Sequence, residues 1–158
     1  MKVLAWITEG GWEACVDAAA ALDANEVTLL HVATVDVPGP RGRRHEQVMT
    51  RMSALAGEAA GALLEDAEER LGRGAHKLAA SGPAENVVME AAAYADMLVV
   101  VRESRHPGPH SIGHAARFVV DHAPCDVVLV WPGGGPDGPA PKPKAKPKAK
   151  PKPKPAPW

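Results

Sequence analysis

The sequence predicts an α/β fold, a five-stranded parallel sheet doubly wound by helices with strand order 3-2-1-4-5. Three observations point there. Short, unbroken apolar runs such as Val3 to Ile7 and Met97 to Val101 lack the in-out alternation of a sheet with one wet face, as expected of strands covered on both sides. The segments between those runs repeat apolar residues every three or four positions. Residues 96 to 131 give a strand, a loop, a short helix and a final strand, which is half of a doubly wound sheet.

Taken in order, Val3-Leu4-Ala5-Trp6-Ile7 is the first strand, closed by Thr8-Glu9-Gly10-Gly11. Ala14, Cys15, Ala18, Ala19 and Leu22 mark a helix that ends near Asn25, and Val27 to Val32 form the second strand. After the Pro38-Gly39-Pro40 loop, a long amphipathic helix runs from Glu46 to Leu71. Met49, Met52, Leu55, Leu63, Leu64 and Leu71 lie on its broad apolar face, Glu58, Glu65, Asp66, Glu68 and Glu69 on the other, and Gly72 stops it. His76 to Ala80 is an edge strand. Pro83 opens a third helix to Tyr94, Met97 to Val101 is the fourth strand, Ser111 N-caps a helix through His122, and Val127 to Trp131 is the fifth strand. In this topology the crevice outside the C-terminal strand ends, between strands 1 and 4, is the default ligand site.

The 158 residues divide into a domain at 1–131 and a tail at 132–158. From Pro132 the chain is Gly- and Pro-rich and then alternates Pro with Lys, with too little to bury to offset the entropy of ordering, so the tail reads as disordered with polyproline II character. The domain carries 11 Lys and Arg against 18 Asp and Glu, a balance of −7; the tail carries 7 Lys against 1 Asp, a balance of +6. This pattern joins an acidic globule to a basic tether, and the tether attracts polyanions such as nucleic acid weakly and in a salt-sensitive way. Cys15 and Cys125 read as buried reduced thiols, which suits a cytoplasmic protein. No run approaches the roughly 18 apolar residues of a membrane span, and Val3 to Ile7 is too short for the core of a signal peptide.

Val27 to Val32, Gly82-Pro83-Ala84-Glu85, Ala95 to Val100 and the ending His122-Ala123-Pro124-Cys125-Asp126-Val127-Val128-Leu129-Val130 together resemble the universal stress protein family over residues 2 to 131. The resemblance implies a Rossmann-like domain of the adenine-nucleotide alpha hydrolase type. It also implies an Asp directly after strand 1 and a Gly-x2-Gly-x9-Gly-Ser/Thr signature after strand 4 in members that bind ATP. Here Thr8 stands at the Asp position, Val101 and Ser104 at the first two glycines, Gly113 at the last after a one-residue deletion, and His114 at the Ser or Thr. Thr8, Val32, Arg102, Arg105, Ser111, Gly113 and His114 are thus the candidate nucleotide- or phosphate-binding residues. The altered signature implies that ATP binds weakly or not at all, since glycines are what let backbone N–H groups approach a phosphate.

Two readings of the loop remain open. Arg102, Arg105, His106, His110 and His114 surround a helix N-terminus and would replace the glycines at an anion site, or they are a solvated surface. His106, His110, His114 and His122 make a poor metal set, because Pro107 and Pro109 break the alignment and no Cys or carboxylate completes it. No nucleophile elbow, phosphate-loop lysine motif or carboxylate pair occurs, so the expectation is a non-catalytic binding or signalling protein, with a nucleotide switch or slow ATPase and a polyanion adaptor as the alternatives. The apolar fifth strand at the sheet edge predicts a homodimer through that edge, as the family resemblance also implies.

Overall fold

The computed structural model describes residues 1–133 and 135–137. Its elements are β1 (Lys2–Trp6), α1 (Trp12–Ala21), β2 (Glu26–Ala33), α2 (Arg43–Leu71), β3 (His76–Ser81), α3 (Ala84–Ala92), β4 (Met97–Val101), α4 (His114–His122) and β5 (Asp126–Val130). The sheet is parallel throughout, in the order β3-β2-β1-β4-β5, with Ala5 of the central β1 level with Leu29 of β2 and Val99 of β4.

Strand pleating divides the core in two, because successive side chains leave opposite faces. Val3, Ala5, Val27, Leu29, Val99 and Val101 join Cys15, Val16 and Ala19 of α1 and Leu64, Ala67 and Leu71 of α2 on one face. Leu4, Trp6, Leu30, Leu98 and Val100 join Val88 and Ala92 of α3 and Ala116 and Val119 of α4 on the other. The absence of alternation in β1 and β4 follows from this two-sided cover.

Exposed ion pairs pin the C-terminal half of α2. Arg70 donates from Nε and Nη2 to the two carboxyl oxygens of Asp17 at 2.8 and 2.9 Å, and Lys77 of β3 bridges Glu65 and Glu68 at 2.8 and 2.6 Å. Gly72 ends the helix at φ 72°, where its N–H reaches the carbonyls of Glu68 and Glu69.

Three expectations are corrected. The long helix begins three residues earlier, at Arg43, because nothing in Arg43-Arg44-His45 opposes helix. Ser111 is not the cap of α4; that position is Gly113, and Ser111 is buried below it, donating to the Gly108 carbonyl at 2.9 Å. Cys125 is only half-buried, unlike Cys15. Residues 134 and 138–158, and with them most of the tail reading, lie outside the described residues. No helix among the described residues is long and apolar enough to cross a membrane.

Candidate functional site

Parallel strands put the C-terminal ends of β1 and β4 side by side, and the turns that leave them diverge into α1 and toward α4. Between them lies a cleft of about 290 Å³ lined by Trp6, Thr8, Gly10, Val100, Val101, Arg102, Glu103, Ala115 and Ala116. The volume is at the small end of ligand pockets, enough for a base or a nucleoside and too little for an extended triphosphate. A second cleft, of about 740 Å³, opens between the ends of β2 and β3 and α2. Among the described residues Asp36 is the only ionisable one that lines it, so it offers little to a phosphate.

Two of the seven candidate residues line the smaller cleft. The Thr8 hydroxyl donates to the Gly10 carbonyl at 3.2 Å and so stiffens the turn after β1. His31 of β2 donates from Nδ1 to the Ile7 carbonyl at 2.8 Å, since a carbonyl can only accept, and holds the same turn from the other side. Arg102, the second, is committed to the fold. Its Nη1 donates to Ser111 Oγ at 2.7 Å, and its guanidinium carbon sits 4.1 Å from the centroid of the Trp131 ring. Its Nε is buried with no partner among the described residues. Arg105 turns away to pair with Asp137 at 3.1 Å, while the Asp137 N–H donates to the Arg105 carbonyl at 2.8 Å. Val32 lines neither cleft and packs on the α3–α4 core.

Gly113 and His114 start α4, whose first-turn N–H groups face the loop that leaves β4. The helix has no side-chain cap and no acidic residue in its first turn. The carboxyl group of Glu103 lies directly against Gly113, so closely that a Cβ on that glycine would overlap it. The carboxylate makes no capping hydrogen bond to α4, but it stands beside the start of the helix, so an anion drawn to the free N–H groups and the positive end of the helix dipole would come close to a negative charge. The Glu103 N–H, donating to the Ser111 carbonyl at 2.9 Å, fixes the loop in this position. Nearby, Val101 Cγ2 and Pro132 Cβ would each stand 3.0 Å from a Cβ on Gly11, so the side chain at the first altered glycine fills the space beside the β1 turn.

Sequence reasoning counted the bases of this loop and passed over Glu103. Its signal was there, since an acidic side chain beside a helix N-terminus is a favourable arrangement in itself. Trp131 and Pro132 were also missed, because their contacts to Arg102 and Gly11 cross from the end of β5 to other loops. Among the described residues no three His, Cys, Asp or Glu are arranged to hold a metal ion. His122 instead bonds the Phe118 carbonyl at 2.8 Å and stacks on the Phe118 ring.

The comparisons agree with this architecture. The model of the universal stress protein family matches residues 11–130. The chain belongs to that family. The universal stress protein UspA from Lactobacillus plantarum superposes with a TM-score of 0.61 at 17% identity, over 82% of this chain and 97% of that one. A universal stress protein family protein from Arabidopsis thaliana, with AMP bound, gives 0.56 at 19%, over 85% and 93%. A universal stress protein in complex with cAMP gives 0.56 at 17%, over 84% and 98%. These identities show a shared fold. No curated protein matches the sequence.

Proposed function

We propose that this chain is a non-catalytic, cytoplasmic, homodimeric binding module of the stress response, whose nucleotide cleft accepts the nucleoside end of an adenine nucleotide and gains little from its phosphates. The observation that carries this reading is the Glu103 carboxyl against Gly113, a negative charge beside the helix start that a phosphate would approach. Three further features support it: Arg102 is engaged by Ser111 and Trp131, Arg105 is engaged by Asp137, and the cleft is only about 290 Å³. Relatives that hold AMP and cAMP make an adenine nucleotide the natural ligand class. β5, paired among the described residues only to β4 and half-buried along most of its length, offers the free edge for the dimer.

Calorimetric titration of the full chain with adenosine, AMP and Mg-ATP in 0.15 M and 0.5 M salt tests the reading. The expectation is affinities for the three ligands that agree within about threefold, because each phosphate approaches a carboxylate rather than an open cradle. Saturable micromolar binding of Mg-ATP, far tighter than adenosine at both salt concentrations, would overturn it in favour of a nucleotide switch. The charge split between domain and tail favours one further activity, weak capture of polyanions by Lys142 to Lys154. It should vanish on truncation after Asp137, and its persistence would refute the tail's part in it.

A further inference from the structure

The two halves of α2 are held differently. Ala60, Leu64, Ala67 and Leu71 are buried, and the ion pairs to Asp17 and Lys77 fall in the same half. The half before Ala60 has no buried residue, and its apolar side chains Val48, Met52 and Leu55 are 42%, 46% and 56% exposed. A soluble helix rarely leaves such a run bare.

These residues are ordered. Val48, Met52, Leu55, Ala59 and Ala62 follow one another at steps of four, three, four and three, a seam at the heptad spacing of a coiled coil, and all five are exposed. Along one flank of the seam, at steps of seven, run Arg44, Arg51 and Glu58, and Asp66 continues the seam itself. All four charged residues are exposed, and none of their side chains has a hydrogen bond or ion pair among the described residues. The order is basic first and acidic last, which is complementary to its own reverse.

We infer that this face of α2 docks on the same face of a second copy of the chain, the two helices antiparallel and crossing near Leu55. In that register Leu55 meets Leu55 of the second copy, Val48 packs over Ala59 and Ala62, Arg51 faces Glu58, and Arg44 faces Asp66. Two-fold symmetry repeats each contact, as an isologous interface requires. The small Ala59 and Ala62 let the helices approach, and the charged pairs set direction, because a parallel alignment would place Arg44 and Arg51 against their like. The surface stands over the β2–β3 end of the sheet, at the opposite edge from β5, so it is independent of any pairing through that strand.

A thiol at the crossing point reads the contact directly. Full-length Leu55→Cys, mildly oxidised, should form a covalent dimer roughly tenfold faster than Thr50→Cys, an exposed site on another face of the helix, because only the former thiols meet across the two-fold axis. Arg44→Asp with Arg51→Glu in the Leu55→Cys chain should reduce cross-linking to the level of Thr50→Cys. Adding Glu58→Arg and Asp66→Arg should restore it, which mere loss of folding cannot do. Equal rates for the two thiols, or cross-linking indifferent to charge reversal, would overturn the inference. So would failure of Leu55→Cys to cross-link while the chain sediments with phosphatidylglycerol vesicles in a way that needs Arg44 and Arg51. That outcome would assign the face to an anionic membrane surface.

Discussion

Replacing Glu103 with Gln keeps the shape of the side chain against Gly113 and removes its charge, so it isolates the electrostatic part of the argument. A phosphate reaching the N-terminus of α4 must come within about 4 Å of a group already touching Gly113. Two unit charges at that distance interact by about 1 kcal/mol in water and about 4 kcal/mol at an effective dielectric near 20. Glu103 is an exposed residue, which places the repulsion toward the watery limit. A gain of about 1–2 kcal/mol, or five- to thirtyfold in affinity for AMP and ATP, is therefore expected in Glu103→Gln. Adenosine, which brings no phosphate, should bind both proteins alike.

The same change removes a negative charge from the positive end of an uncapped helix, so the variant should unfold more easily by about 0.3–1 kcal/mol in urea. The assay is calorimetric titration of wild type and variant with all three ligands at 0.05 M and 0.5 M salt, beside a urea melt. The ratio of variant to wild-type affinity for ATP should shrink at high salt. Unchanged ATP affinity, or an equal gain for adenosine, would show that Glu103 does not guard the helix terminus electrostatically and would refute the reasoning.

Three other perturbations test separate parts of the structure. Gly11→Ala puts a methyl group at φ 89° and 3.0 Å from Val101 Cγ2 and Pro132 Cβ, and should cost about 1–3 kcal/mol in urea unfolding; combining it with Val101→Ala should recover part of the loss, and strict additivity would reject the contact. The Asp17 carboxyl is held below its ordinary pKa chiefly by its hydrogen bond from Arg70, against an opposing effect of burial and with a lesser contribution from the charge of that guanidinium. A depressed pKa contributes stability above the unfolded value and loses it as pH falls through the folded one. The stability deficit of Asp17→Asn should thus be present at pH 7 and fade below about pH 4, and a deficit that grows in acid would reverse the assignment. Burial pushes the Cys15 thiol up to about 12, while Cys125 is half-buried, so a disulfide reagent at pH 8 should modify Cys125 first and Cys15 only as fast as the protein unfolds. Equal rates in the folded protein would contradict the burial of Cys15.

The number, order and direction of the strands were legible because unbroken runs such as Leu98-Val99-Val100-Val101 make sense only between two helical layers. The stop of α2 was legible at Gly72, since a left-handed terminus selects glycine. The cleft between β1 and β4 opens where the strand order put it, but the partners of its basic residues were not legible. Its basic residues stood out in the sequence, but Arg102 is turned to Ser111 and Trp131 and Arg105 to Asp137 by contacts that spacing along the chain does not encode. The seam on α2 was hidden for a related reason, because Met52 and Leu55 were grouped with the core-facing Leu64 on one broad apolar face, and only the sheet's extent shows which of them it covers.

The sequence by itself thus determined the fold class and the strand order, and with them the crevice at the C-terminal ends of β1 and β4, since periodicity and glycine placement are local properties bound by backbone geometry. Tertiary structure alone decided that the Glu103 carboxyl lies against Gly113, that Val101 fills the turn beside Gly11, and that half of α2 stands uncovered. Each of these depends on which side chains from distant segments compete for one small volume, and that competition is resolved only when the chain is packed.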